Sequence, residues 1–366
     1  KEATPELKII SEFIEWAFPQ KVIKLSGYLQ KTKDRGAGLT LSLTENWTGN
    51  ILASNTIWQK DYDPMIESDE KDPMPYYRLS DLAATWTFFQ LHASSGEEDF
   101  ALLGTSDWQS YAYFRAGVSW SLEGQKEKAR QLYVEALSRD MNNRGALFNL
   151  GVIDMEAGEY DKAIERLLMA KDSAEREKTD GFYSDSIWYN AMYQLAASYQ
   201  YSSIWAKEGQ EKAKPGLIEA EETAENLVTN IDAAIKSLQK NENRMLKQYL
   251  ITFRPMAVIL YAGILVNLGK DKEAGSLIES LKPFSRLSYR VQYNLACYYS
   301  TAGDKIKSKE RTTAYKNALL HLDYAFERGG DIVEWAKNDP SLKGVREDEE
   351  TKDLFERLAG KNRPNN

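Results

Sequence analysis

Residues 111–136 read YAYFRAGVSWSLEGQKEKARQLYVEA, and residues 145–170 read GALFNLGVIDMEAGEYDKAIERLLMA. Six pairs hold a spacing of 34 between the two stretches: Ala112 with Ala146, Phe114 with Phe148, Gly117 with Gly151, Gly124 with Gly158, Ala129 with Ala163, and Ala136 with Ala170. A fixed period of this length marks a helical repeat, in which each unit is a pair of helices that buries its apolar face on its neighbours. The small residues have distinct tasks. Gly117 and Gly151 let the first helix approach the second, Ala129 and Ala163 do the same from the second helix, and Gly124 and Gly158 supply the tight turn between them.

Tyr113, Ala116, Gly117, Trp120, Gly124, Ala129, Tyr133 and Ala136 resemble one complete tetratricopeptide unit, and Leu147, Leu150, Gly151, Gly158, Tyr160, Ala163, Leu167 and Ala170 resemble a second. Asp154 departs from the usual aromatic, and Met141 stands where a closing proline is usual. The charged stretch Lys171 to Asp180 reads as a loop or a helix extension.

Three weaker units extend the array. Tyr189 to Tyr201 resembles a first helix, with Leu217 to Ile231 as its partner after an insertion holding Pro215 and Gly216. Tyr261, Ala262, Leu265, Gly269, Ala274, Ile278 and Leu281 repeat the small-residue spacing. Tyr293, Asn294, Leu295, Ala296, Tyr299 and Gly303 form a last first helix, and Ala318, Leu322 and Ala325 its partner, with about ten extra residues between them. Asn338 to Leu342 reads as a cap followed by proline at the first helical position, and Leu354 and Phe355 are expected to shield the last hairpin.

The front of the chain differs. Ser11 to Ala17 lies in an amphipathic helical stretch, while Val22 to Leu29, Leu39 to Leu43 and Ile51 to Trp58 predict a small antiparallel sheet of three strands. Gly36-Ala37-Gly38 and Asn46 to Asn50 punctuate these strands, and the first reads as a hairpin turn. Asp61 to Pro75 is acidic and proline-rich, which predicts a linker. Leu79 to His92 returns to helical spacing, with Leu82, Trp86, Phe89 and His92 near one face, completed by a helix near Asp99 to Leu103 or packed directly on the first repeat. The expected layout is a small α/β domain over 1–60, a linker over 61–75 and a repeat domain over 76–366. The fold class is mainly α: a right-handed superhelix of about five hairpins with a small β-containing N-terminal domain.

Composition narrows the function. The chain has 366 residues, 42% hydrophobic and 28% charged, with a net charge of −8, which opposes general nucleic-acid binding. The longest apolar run, Ile259 to Val266, is broken by Gly263, so no membrane span is expected. Lys1 to Ile10 is charged and predicts no secretory signal, and a first residue other than Met suggests a piece of a longer chain. One cysteine, Cys297, fits a reducing compartment, and the cytoplasm is the expected location. No phosphate-binding loop of the GxxxxGK[ST] form is present. His92 and His321 are the two histidines, far apart in sequence, so neither a metal nor a cofactor is expected, and His92 and His321 read as partly buried helix residues. Cys297 has no histidine beside it in sequence and reads as a core or groove thiol. Asn46-Trp47-Thr48 matches a glycosylation acceptor and reads as a turn.

The family resemblance supplies the candidate site. Tetratricopeptide arrays bind partners along a groove lined by their first helices. Carried over, the lining positions are Tyr111, Phe114, Val118 and Ser121 in the first unit, and Phe148, Val152 and Met155 in the second. Asn190, Tyr193, Ala197 and Gln200 follow in the third, and Tyr293, Cys297 and Ser300 in the last. The mixed aromatic and polar character suits an extended peptide or a helix. One subtype of the family holds chaperone C-terminal carboxylates with a lysine–asparagine clamp. Here Phe114 and Val118 occupy clamp positions, and Asn149, with Asn294 as its counterpart in the last unit, is the lone match, which argues against that ligand. The resemblance therefore implies a non-enzymatic scaffold for a protein or peptide, or a sensor whose groove is occupied by the chain itself.

Overall fold

The computed structural model describes residues 23–46, 49–62, 75–95, 104–176, 182–204, 213–238, 244–282, 287–306, 310–329 and 332–360. The expected helices at Ser11 to Ala17 and Asp99 to Leu103 lie outside these, as do Trp47 and Thr48. The fold is mainly α: a series of helices follows an N-terminal three-stranded antiparallel sheet. Contacts gather the chain into two compact units, Lys1–Ile153 and Asp154–Asn366.

In the first unit the strands are β1 (Ile23–Thr32), β2 (Gly36–Glu45) and β3 (Ile51–Trp58), in the order β1-β2-β3. Leu29, Leu39 and Ile57 lie side by side across the sheet, as do Leu25, Leu43 and Ala53. The hairpin turn falls at residues 33–35, so Gly36, Ala37 and Gly38 belong to β2 rather than to the turn. Gly38 is there for space: a Cβ would sit 2.5 Å from the Trp58 ring. A 3-10 turn, Gln59–Tyr62, follows β3 and buries Tyr62, whose hydroxyl accepts a 2.6 Å hydrogen bond from Gln109. Asp61 and Tyr62 are thus ordered and held, while residues 63–74 of the expected linker lie outside the described residues.

The sheet packs on α1 (Pro75–Ser95), which buries Leu79, Leu82, Ala83, Trp86 and Phe89. Next come α2 (Trp108–Leu122) and α3 (Lys126–Arg139), the first repeat hairpin, and then α4 (Arg144–Glu156), within which the two units divide. Leu41, Leu43 and Ile57 of the sheet, Trp86 of α1, Tyr113 of α2, Leu132 of α3 and Leu150 of α4 belong to one apolar core. Each fully buried aliphatic side chain in it contributes about 2 kcal/mol.

The hairpin α2–α3 forms for local reasons. Asp107 caps α2, accepting from the Ser110 N–H at 2.8 Å. Gly124 turns the chain at φ 77°, a conformation that disfavours a side chain. Gly117 meets the Tyr133 ring, 2.6 Å from where a Cβ would be. Asp140 closes the hairpin by accepting from the Thr105 hydroxyl and from the Ser106 and Asn142 N–H groups at 2.7–2.9 Å.

The second unit opens with the end of α4 and continues through α5 (Tyr160–Arg176), α6 (Phe182–Ile204), α7 (Ala213–Ser237), α8 (Arg244–Asn267) and α9 (Asp271–Glu279). Then follow α10 (Tyr289–Lys305), α11 (Glu310–Phe326), α12 (Ile332–Asn338), a 3-10 turn at Pro340–Leu342, α13 (Lys343–Glu347) and α14 (Lys352–Gly360). Asp154 is wholly buried and ion-paired with Arg166, which accounts for a carboxylate where an aromatic is usual. The Lys171 stretch is a helix extension as far as Arg176. Pro215 and Gly216 lie inside the first turns of α7, not in an insertion ahead of it. The extra residues of the last hairpin are absorbed mainly by longer helices, since four residues separate α10 from α11.

Asp339 caps the 3-10 turn, accepting from the Ser341 N–H at 2.8 Å, with Pro340 at the first position as the sequence predicts. Phe355 is buried against the last hairpin; Leu354 remains exposed. One described helix, α8, is long and apolar enough by length and composition to cross a membrane, contrary to the expectation from apolar runs. Half of its apolar stretch is buried within the protein, where Leu250, Phe253, Val258 and Leu265 meet α7, α9 and α10. A core helix of a helical array has this composition.

Candidate functional site

The first-helix faces carry different surfaces in the two units. In the first unit, α2 presents Tyr111, Phe114 and Val118 half-buried and Ser121 exposed. The rings form a row: Phe88 of α1 stacks on Tyr111 at 6.1 Å, Tyr111 leans on Phe114 at 6.3 Å, and Phe114 on Tyr133 at 6.1 Å. His92 meets Phe88 edge-on at 4.4 Å. Burial pushes the Tyr133 phenol up to about 12, and Asn149 donates to its oxygen at 3.1 Å. Phe148 and Val152 of α4 are also half-buried. The Arg115–Asp81 ion pair joins α1 and α2 as well, at 4.0 Å.

In the second unit, Met155 is half-buried at the end of α4. The first helices α6, α8 and α10 meet along one face. Asn190 donates to the Tyr249 hydroxyl at 2.7 Å, and Tyr193 packs edge-on against Phe253 at 5.6 Å, joining α6 to α8. Asn294 donates to the Tyr193 hydroxyl at 3.3 Å, joining α10 to α6. Several lining positions are closed off. Ala197, Gln200, Tyr293 and Ser300 are buried, while Asn190, Tyr193 and Cys297 are half-buried.

Beyond this contact lies a polar cluster. The Tyr293 hydroxyl donates to Asp339 Oδ2 at 2.6 Å, and the Cys297 thiol lies 3.6 Å from the same oxygen. Tyr201 is close: burial raises its phenol pKa well above normal, and Asp339, Tyr193, Cys297 and Tyr160 raise it further. Tyr160 packs on Tyr201 at 6.3 Å. Trp335 of α12 covers Tyr293 at 6.3 Å and is itself 62% exposed. Burial, reinforced by Asp339, holds the Cys297 thiol protonated at neutral pH, so it is a weak donor and not a nucleophile.

Elsewhere in this unit His321 is buried, with Nδ1 2.6 Å from Gln292 Oε1 and its ring stacked on Tyr299. Burial pushes its pKa down to about 4. Among the described residues there is no group of three or more His, Cys, Asp or Glu side chains arranged to hold a metal ion.

Sequence reasoning missed Phe88, Tyr160, Tyr201, Trp335 and the second role of Asp339. Asp339 was visible as a cap, but its partners on α10 are more than forty residues away. Nothing in the local pattern marks Trp335.

No protein-family model and no curated protein matches the chain. Among solved structures it is similar to YrrB, described as a TPR protein with an unusual peptide-binding site. The two share 17% identity over 66% of this chain and 93% of that chain, with a TM-score of 0.30. A likeness that loose carries no weight for function.

Proposed function

We propose that the chain is a protein-interaction scaffold that binds an extended or helical segment of a partner along the exposed faces of its first helices. The observation that carries this reading is the ring row Phe88, Tyr111, Phe114 on α1 and α2: half-buried aromatic surface on two neighbouring helices. Partly exposed aromatic clusters are the usual anchors of protein interfaces, because rigid rings gain contact area at small entropic cost. Tyr111, Phe114, Val118 and Phe148 are the residues assigned to this contact.

A second reading, a sensor whose groove is filled by the chain itself, is favoured by one observation, the contact of Asn294 with Tyr193 between α10 and α6. Copurification from the native source separates the two. A scaffold retains a stoichiometric partner through gel filtration without any added ligand. A sensor elutes alone and gains a partner only when a small ligand is supplied.

A further inference from the structure

We propose that the cluster around Asp339 is a receptor for a lysine side chain of the bound partner segment. This rests on the scaffold reading and names the chemistry of one of its contacts. One carboxylate meets the hydroxyl of a tyrosine whose ring is packed against an exposed tryptophan. The Tyr293 hydroxyl donates to Asp339, Trp335 packs on Tyr293, and Tyr201, whose phenol feels the Asp339 charge, packs on Tyr160. Ring faces attract a cation through their quadrupole, and a carboxylate among them supplies the countercharge. The tryptophan is the ring type with the strongest cation–π attraction, and here it is the most exposed member.

Arg346 directs its guanidinium to the backbone carbonyls of Ala336 and Asp339, at 3.0 and 2.5 Å, and forms no ion pair with the Asp339 carboxylate. Asp339 already accepts from Ser341 N–H on Oδ1 and from Tyr293 on Oδ2. Because the Cys297 thiol also approaches Oδ2, the remaining acceptor capacity lies on Oδ1, so a two-pronged guanidinium contact is disfavoured, whereas a compact ammonium needs a single approach. The net charge of −8 steers a basic segment toward the protein. The site selects a partner of sign opposite to that taken by a lysine-rich carboxylate clamp.

The test uses the whole chain and two matched probes, acetyl-Ala-Lys-Ala-amide and acetyl-Ala-norleucine-Ala-amide. Binding is followed at the Trp335 indole N–H resonance, assigned through Trp335→Phe. The lysine peptide is expected to shift that signal saturably and to bind at least about tenfold more tightly than the norleucine peptide. Asp339→Asn, which keeps an oxygen for the Ser341 cap, should remove that preference. Trp335→Ala, at an exposed position, should weaken the lysine peptide about threefold or more. Equal shifts from both peptides, no saturable shift from either, or an unchanged lysine preference in Asp339→Asn would overturn the assignment. If it falls while a native partner is still captured through α2, the scaffold reading stands and the lysine receptor alone is lost.

Discussion

The Tyr293 hydroxyl donates to Asp339 at 2.6 Å across 46 residues of chain, tying the last first helix to the capping turn that follows α12. The bond is partly buried and its acceptor is charged, so it is worth more than an average hydrogen bond. Tyr293→Phe keeps the ring against Trp335 and removes the donor. It should lower unfolding free energy by about 1–3 kcal/mol in urea titration. A change under about 0.3 kcal/mol would show that solvent replaces the hydroxyl there.

His321 sets an acid limit. Its folded pKa is about 4 against an ordinary 6.5, so the unfolded chain binds the extra proton first as pH falls. Stability then rises with pH across that window: the His321 contribution is complete above about pH 6.5 and is lost as pH drops toward 4. The full difference is at most about 3 kcal/mol. His321→Gln should flatten the slope of the unfolding midpoint between pH 6.5 and 4; an unaltered slope would rule out His321 as its source.

Asp154 and Arg166 test the departure from the repeat pattern. Arg166→Ala removes the cation from a wholly buried carboxylate and should cost about 3 kcal/mol. Replacing both by leucine should recover most of that loss, because the buried charge goes as well. If the double variant is no more stable than Arg166→Ala, other groups around Asp154 carry the stabilisation.

The regular repeats were legible because their constraints are local. Gly124 needs its left-handed turn, and Gly117 faces a ring sixteen residues later in its own hairpin, so both recur with the period. The Gly36–Gly38 segment misled for the opposite reason: Gly38 serves the Trp58 ring of another strand, which no short window reveals. The candidate site was half legible. Tyr111, Phe114 and Val118 on α2 followed from the repeat register and are half-buried, while Tyr293 and Ser300 of α10 held the same register yet are buried, Tyr293 in the core of the last hairpin and its capping segment. Such closure depends on how successive hairpins stack, a property of the assembled array rather than of one repeat.

Gly117→Ala should expose how tightly α2 and α3 approach. The added methyl would lie 2.6 Å from the Tyr133 ring, so the helices must separate, at a cost of about 1–3 kcal/mol. Gly124→Ala, where there is space but φ is 77°, should cost about 1 kcal/mol. Thermal unfolding ranks the two; the reverse order would mean that backbone strain outweighs crowding.

The linker expected over Asp61 to Pro75 predicts limited proteolysis within that stretch. Ile57, Tyr62, Trp86 and Tyr113 share one core, so the two fragments should stay associated through gel filtration after a cut there. Release of a free sheet fragment would show that the shared core is too weak to hold it.

The central claim is that half-buried rings on first-repeat helices are the contact for a partner. Its most direct measurement is the dissociation constant of the copurified partner for the wild-type chain and for the Phe114→Ala, Phe148→Ala double variant, with both unfolding midpoints recorded. The account predicts a loss of affinity of about a hundredfold or more, equivalent to about 2.7 kcal/mol, with the variant still folded at the assay temperature. An unchanged dissociation constant in a folded double variant would contradict it.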